Sequence, residues 1–334
     1  MLGRQVMRRD CGFALLLGTC LGPAGATDAW IRVNQIGYLP ADPKIAVLSS
    51  AAPLTGSFRV GDVTADIGSD QGGWGPFQHN YRLDFSALRQ PGRYAVRFAD
   101  IVSPTFAIGD DVYAGVPEKL LDFMRLQRCG DNPVTGQKCH QQDAFDALSG
   151  RQLDLTGGWH DAADRIKHMI TTSYCVAALF LAGAPDEARY GAALLVKIHP
   201  DADTLYVQIG DDRDHAPPDG LWHEDQTDYG RGPGGPRAAW PATGKPEGPK
   251  YKNESTGLAS LAGRMAAALT LAGELDRAKA LYRLAQAKPG CAMSVPVKAP
   301  YYYGERSFYD DLEWAATELY IATRERAYLE QALE

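Results

Sequence analysis

The hydrophobic period of this chain changes once, near residue 112, and that change dictates two separately folded parts. Before it, apolar residues alternate. In the run 93–98, RYAVRF, the side chains of Tyr94, Val96 and Phe98 face one way and those of Arg93, Ala95 and Arg97 the other, after a Pro91-Gly92 turn. Similar short runs at 44–48, 58–60, 81–85 and 105–108 are separated by Gly, Pro and Asp clusters. Strands this short and this closely spaced predict a small β-sandwich over residues 27–110. Its expected role is structural. Its aromatics Trp30, Tyr38 and Trp74 read as core or interface residues, with glycan contact as the alternative.

Beyond residue 112 the spacing is helical, with segments predicted at 118–126, 166–182, 185–197, 255–272, 274–287, 308–322 and 326–333. No alternating run interrupts them, so residues 111–334 are expected to be mainly helical. A length of 334 residues, 45% of them hydrophobic, is enough for two cores. The segment 200–253 is long and rich in Gly and Pro, and long connections inside a compact domain usually carry function. Its Trp222 and Trp240, together with Trp159, are candidate platforms for sugar rings; ordinary loop packing is the alternative.

One stretch in the helical part concentrates chemistry: residues 157–180, GGWHDAADRIKHMITTSYCVAALF. A glycine pair opens it as a tight turn. Asp161 and Asp164 then stand three residues apart at what reads as the mouth of a helix, which would favour their ionised forms and suit a general base. Simple helix capping by the two aspartates is the competing reading. Upstream, Cys129, Cys139, His140 and His160 supply two thiols and two imidazoles, a closed tetrahedral set for a structural zinc ion. A Cys129–Cys139 disulfide and an accidental grouping are the alternatives.

Residues 1–26 read as an export signal: Arg4, Arg8 and Arg9, then an apolar run too short to span a bilayer, then Ala24-Gly25-Ala26. The mature protein is therefore expected in the periplasm or outside the cell, with no membrane partner. The net charge of −7 carries no compensating basic run, which argues against nucleic acid. A monomer is expected.

Taken together, these motifs resemble glycoside hydrolase family 9, the cellulase (endo-β-1,4-glucanase) family, in the form with an N-terminal immunoglobulin-like domain. Residues 30–40, WIRVNQIGYLP, resemble that domain's first strand. Gln127-Arg128-Cys129-Gly130 and Cys139-His140 resemble the segment before the active site, GGWHDAAD resembles the GGWxDAGD motif, and the run from Tyr309 to Ala316 resembles a Y-x-D-E-L-x-W-A-A helix. The resemblance implies an (α/α)6 barrel and inverting hydrolysis of β-1,4-glucan. Asp164 matches the general base, Asp161 the carboxylate that helps hold the attacking water, and the Cys/His set a structural zinc. Asp310-Asp311 resembles part of a calcium site. Two features depart from the pattern. Ala163 stands where the motif has Gly, and no motif for the catalytic acid surrounds Glu224, Glu254 or Glu305, so the barrel is expected to be truncated at Glu334 and nearly inactive as it stands. Relatives acting on xyloglucan or glucosamine oligomers, and a non-catalytic glycan-binding protein, are the alternatives.

Overall fold

A computed structural model describes residues 29–162, 164–215 and 227–334. The expected export signal, Ala163, Trp222 and Glu224 lie outside the described residues. The chain divides into two compact units, one ending at Val116 and the other beginning at Pro117.

The first unit is built from β1 Ala29–Arg32, β2 Ile45–Ser50, β3 Ser57–Val60, β4 Val63–Asp66, β5 His79–Asp84, β6 Gly92–Tyr94, β7 Arg97–Phe98, β8 Ile101–Val102 and β9 Phe106–Ile108. They form antiparallel sheets in the orders β1-β2-β5, β4-β3-β7-β8 and β6-β9. Alternation places Ile31, Ala46, Leu48, Phe58, Val60 and Leu83 in one core with Phe85 and Phe106. Tyr38 joins this core as a buried residue, whereas Trp30 and Trp74 are exposed. The run 93–98 is not one strand. It breaks after Tyr94, so β6 and β7 belong to different sheets, and the Val96 amide at the break is satisfied by Ser103 Oγ (2.9 Å). Periodicity misses such a break because Val96 and Phe98 stay buried across it.

The second unit contains α1 Val116–Leu126, β10 Asp131–Asn132, β11 Gln137–Lys138, β12 Phe145–Asp146, β13 Lys167–His168, α2 Met169–Leu181 and α3 Pro185–Lys197. It continues with β14 Tyr206–Ile209, β15 Ala238–Pro241, α4 Ala259–Leu271, α5 Leu275–Ala287, α6 Tyr309–Thr323 and α7 Arg326–Ala332. Helix α4 is central, packing against α2, α3, α5 and α6. Its alanine-rich sequence permits this: Ala262, Ala266, Ala267 and Ala268 are all fully buried, and small side chains let neighbouring helices approach on every side. At Gly263 an added Cβ would lie 2.9 Å from the Asp311 carbonyl, so only glycine fits where α4 meets α6. Strands β12, β15, β14 and β13 form a four-stranded mixed sheet that the helical reading of this region did not anticipate. These strands are two to four residues long, and β14 is buried on both faces, so neither leaves an alternating trace in the sequence. Among the described residues no helix is long and apolar enough to cross a membrane.

Candidate active site and metal centre

The turn that carries the two aspartates begins with Gly157 and Gly158 at φ +93° and +72°. A Cβ on Gly158 would lie 2.3 Å from Leu194 Cδ2, so backbone conformation and packing both require glycine there. Trp159 follows, and it corrects an expectation. Its ring is buried in the core, and its indole N–H donates to Glu187 (2.9 Å), a carboxylate also held by Arg128 at 2.6 and 3.1 Å. Trp159 therefore braces the turn and offers no open face to a sugar. Trp240, on β15 opposite Gln208, is half-buried against the same core.

Asp161 and Asp164 do not sit on a helix. The Asp161 amide donates to the Ile166 carbonyl (2.8 Å), closing a loop, and residues 167–168 then pair with β14. Helix α2 starts only at Met169, with His168 at its N-cap and no side-chain cap. Pairing with β14 holds these residues extended, which removes both the macrodipole argument and the capping alternative.

The two carboxylates have different partners. Asp161 accepts hydrogen bonds from Thr171 Oγ1 (2.5 Å) and the Tyr303 hydroxyl (2.6 Å). Asp164 accepts from the Ile166 amide (3.2 Å) and pairs with His215 Nε2 (3.1 Å), while His215 Nδ1 lies 2.5 Å from the Tyr301 hydroxyl. Burial pushes the Asp164 carboxyl up, but the hydrogen bond and charge of His215 outweigh it, and the net shift is downward. Reciprocally, the Asp164 hydrogen bond raises His215. Burial lowers His168, and the Asp161 hydrogen bond raises the Tyr303 hydroxyl.

His215, Tyr301 and Tyr303 line a pocket of about 150 Å³ together with His168, Gln208 and Asp212. His168 Nδ1 and Asp212 Oδ1 are buried there without a hydrogen-bond partner among the described residues. The other Asp212 oxygen accepts from the amides of Lys298 and Ala299. Sequence reasoning found the aspartates but missed His215, Tyr301, Tyr303 and Thr171. The available signal was the run of three tyrosines at 301–303 and a lone histidine after an Asp-rich triplet.

Cys129, Cys139, His140 and His160 converge, with one ligand atom from each lying within 4.8 Å of all the others. The short β10–β11 hairpin returns Cys139 to Cys129, and its amide donates to the Gly130 carbonyl (2.9 Å). The His160 amide is held by the Gln127 carbonyl (2.9 Å). Both Cys129 Sγ to His140 Nδ1 and Cys139 Sγ to His160 Nε2 measure 3.6 Å. Sulfur at 2.3 Å and nitrogen at 2.0–2.1 Å around a tetrahedral zinc would stand roughly 3.6 Å apart, so this donor set fits the ion. The cysteines are free, so the disulfide alternative is not formed. A hydrogen bond with Cys129 lowers the Cys139 thiol to about 6.

Asp310 and Asp311 diverge. Asp311 is buried and its two oxygens are taken by Arg264 at 2.8 and 3.0 Å, while Asp310 is exposed and accepts from Ser307 (2.9 Å). Burial raises the Asp311 carboxyl to about 6.

Residues 113–334 match the family described as glycosyl hydrolase family 9, and residues 26–103 match the cellulase N-terminal ig-like domain. The chain belongs to glycosyl hydrolase family 9. Endoglucanase 15 of Oryza sativa subsp. japonica is 28% identical over 251 residues, 66% of this chain and 37% of that protein. A metagenome-derived family 9 endoglucanase superposes with TM-score 0.63 at 25% identity, covering 91% of this chain and 63% of its own. A thermostable endoglucanase from Alicyclobacillus acidocaldarius does so with TM-score 0.63 at 21% identity, covering 91% and 61%. The chain thus spans less than two thirds of the relatives it matches.

Proposed function

We propose that the protein hydrolyses β-1,4-glucosidic bonds of cellulose-type glucans with inversion, and that Asp164 is the general base. The carrying observation is the division of labour between the two carboxylates of the family motif. Asp164 is ionised, depressed below the usual carboxylate range, and ion-paired at one oxygen. It can therefore accept a proton from a water molecule on the face of the sugar opposite the leaving group. Asp161, held by two hydroxyl donors, fixes that water from the other side.

The pocket beside this pair carries two buried polar atoms with no partner among the described residues, as a site that meets sugar hydroxyls needs. In this reading Tyr301 and Tyr303 give it aromatic surface, and Trp222 and Trp240 remain candidates for sugar contact. A zinc ion held by Cys129, Cys139, His140 and His160 is structural, since four protein donors leave no open position. When bound, it ties α1, the hairpin and the turn to one point. Export to the periplasm or the medium follows from the N-terminal signal and a polymeric substrate.

The test is release of reducing sugar by the full-length protein from carboxymethylcellulose, xyloglucan and chitosan oligomers. Release from carboxymethylcellulose supports the proposal. Release confined to xyloglucan or chitosan moves the enzyme to another substrate within the family. Glucan binding without release from any of them leaves a non-catalytic glycan-binding protein.

A further inference from the structure

We propose that Arg237 is a positioning residue that holds Asp164 and His215 in register by clamping the two backbone segments that carry them. This rests on the reading of Asp164 given above. Arg237 precedes β15 and its side chain is fully buried. Its Nη1 donates to the carbonyl of Arg165, the residue after Asp164, at 2.7 Å. The same nitrogen lies 3.4 Å from the carboxylate of Asp214, the residue before His215. One nitrogen therefore touches the neighbour of each member of the pair.

The rest of the guanidinium is fixed in turn. Nε and Nη2 donate to the two oxygens of Asp143 at 3.1 and 2.7 Å, the fork geometry of a bidentate pair. Lys167 Nζ also lies 2.9 Å from Asp143 and donates to the carbonyls of Leu155 and Gly157 at 3.0 and 3.1 Å, gripping the start of the aspartate turn. The Tyr229 hydroxyl donates to Asp214 at 2.9 Å. The cluster contains two cations and two carboxylates, all buried. Such clusters add little stability over an apolar core of the same volume, because desolvation offsets the attraction, and the role inferred for this one is to fix geometry. A fork-shaped donor reaching three separate segments suits a position that sets the Asp164–His215 distance. Lysine could satisfy Asp143 but not Arg165 and Asp214 as well.

The experiment compares Arg237→Lys and Asp214→Asn with the wild-type protein in three measurements: melting, steady-state kinetics on a soluble cello-oligosaccharide, and the His215 titration followed by NMR. Among the described residues, the charged and titratable groups facing His215 are Asp164, His168, Asp212, Asp214 and Tyr301. In folded Arg237→Lys, which keeps the positive charge, the clamp predicts that the His215 titration moves down toward its ordinary value near 6.5, because the Asp164 contact loosens. It also predicts that kcat falls on the order of 10²-fold with KM little changed, the signature of a misplaced reacting group. Folded Arg237→Lys with a wild-type His215 titration and wild-type kcat, or folded Asp214→Asn with wild-type kcat, overturns the proposal, leaving Arg237 as a core residue only. Should Arg237→Lys fail to fold, the kcat of Asp214→Asn decides the question, since that variant leaves the Asp143–Arg237 pair in place, whereas loss of the Asp214 charge lowers the His215 titration by itself. If the wild-type protein cleaves no glucan, the hydrolase reading fails while the His215 titration still tests the clamp.

Discussion

Each aspartate of the motif owes its character to residues far away in the chain. Asp164 is ionised because His215 outweighs its burial, so His215→Gln leaves that burial less opposed. The acid limb of kcat/KM, which in the wild-type should lie below the ordinary Asp value of about 3.9, is then expected at higher pH. A pH profile checks this, and an unmoved limb would detach His215 from the base. The sign for stability runs the other way at the histidine. Because His215 is raised, its contribution is complete below about 6.5 and is lost as pH rises through the raised value. Asp164→Asn should lower kcat by about 10²–10⁴-fold at nearly unchanged melting temperature, measured on the same preparation. The sequence displayed the aspartates because they are close together in it. It hid His215 and Tyr303, which meet them only across separations of 51 and 142 residues; here 215 − 164 = 51, and the second is the Tyr303–Asp161 separation.

At the scale of elements, strong periodicity was legible and short strands were not. The predicted segment 185–197 coincides with α3, and 274–287 and 308–322 fall within one residue of α5 and α6. The predicted helix at 166–182 began three residues early, because Ile166 to His168 carry apolar and basic residues a helix would accept while β14 holds two of them as a strand. The Cys/His element was readable from residue types alone, since its donors are few and chemically distinctive, but that the two cysteines are free and lie 3.6 Å from imidazole nitrogens came only from the fold. Cys139→Ser is expected to reduce bound zinc, measured by metal analysis, and to lower the melting temperature. Unchanged metal content would remove Cys139 from the ligand set. The loop from 129 to 160 ends beside Asp161, so loss of the ion should also lower kcat.

At the scale of the molecule, the change of period near residue 112 marks the division between a β unit and a largely helical one. Leu48→Ala opens a cavity in the fully buried core of the β unit and should cost about 2–5 kcal/mol in a denaturant titration of that unit, with zinc content unaffected. Loss of zinc together with that unit's stability would contradict independent cores. In the second unit, Leu120, Phe123 and Leu126 of α1 are exposed, as are Tyr174 and Leu181 of α2. This chain covers 61–63% of the longer family structures with which it superposes.

In the proposed mechanism a water molecule activated by Asp164 attacks the sugar from the face opposite the leaving group. Proton NMR of the anomer first formed when the full-length protein cleaves a cello-oligosaccharide tests it most directly. Single displacement with inversion gives the α-anomer first. The β-anomer as first product would show a double displacement through a covalent intermediate and would contradict the role given to Asp164.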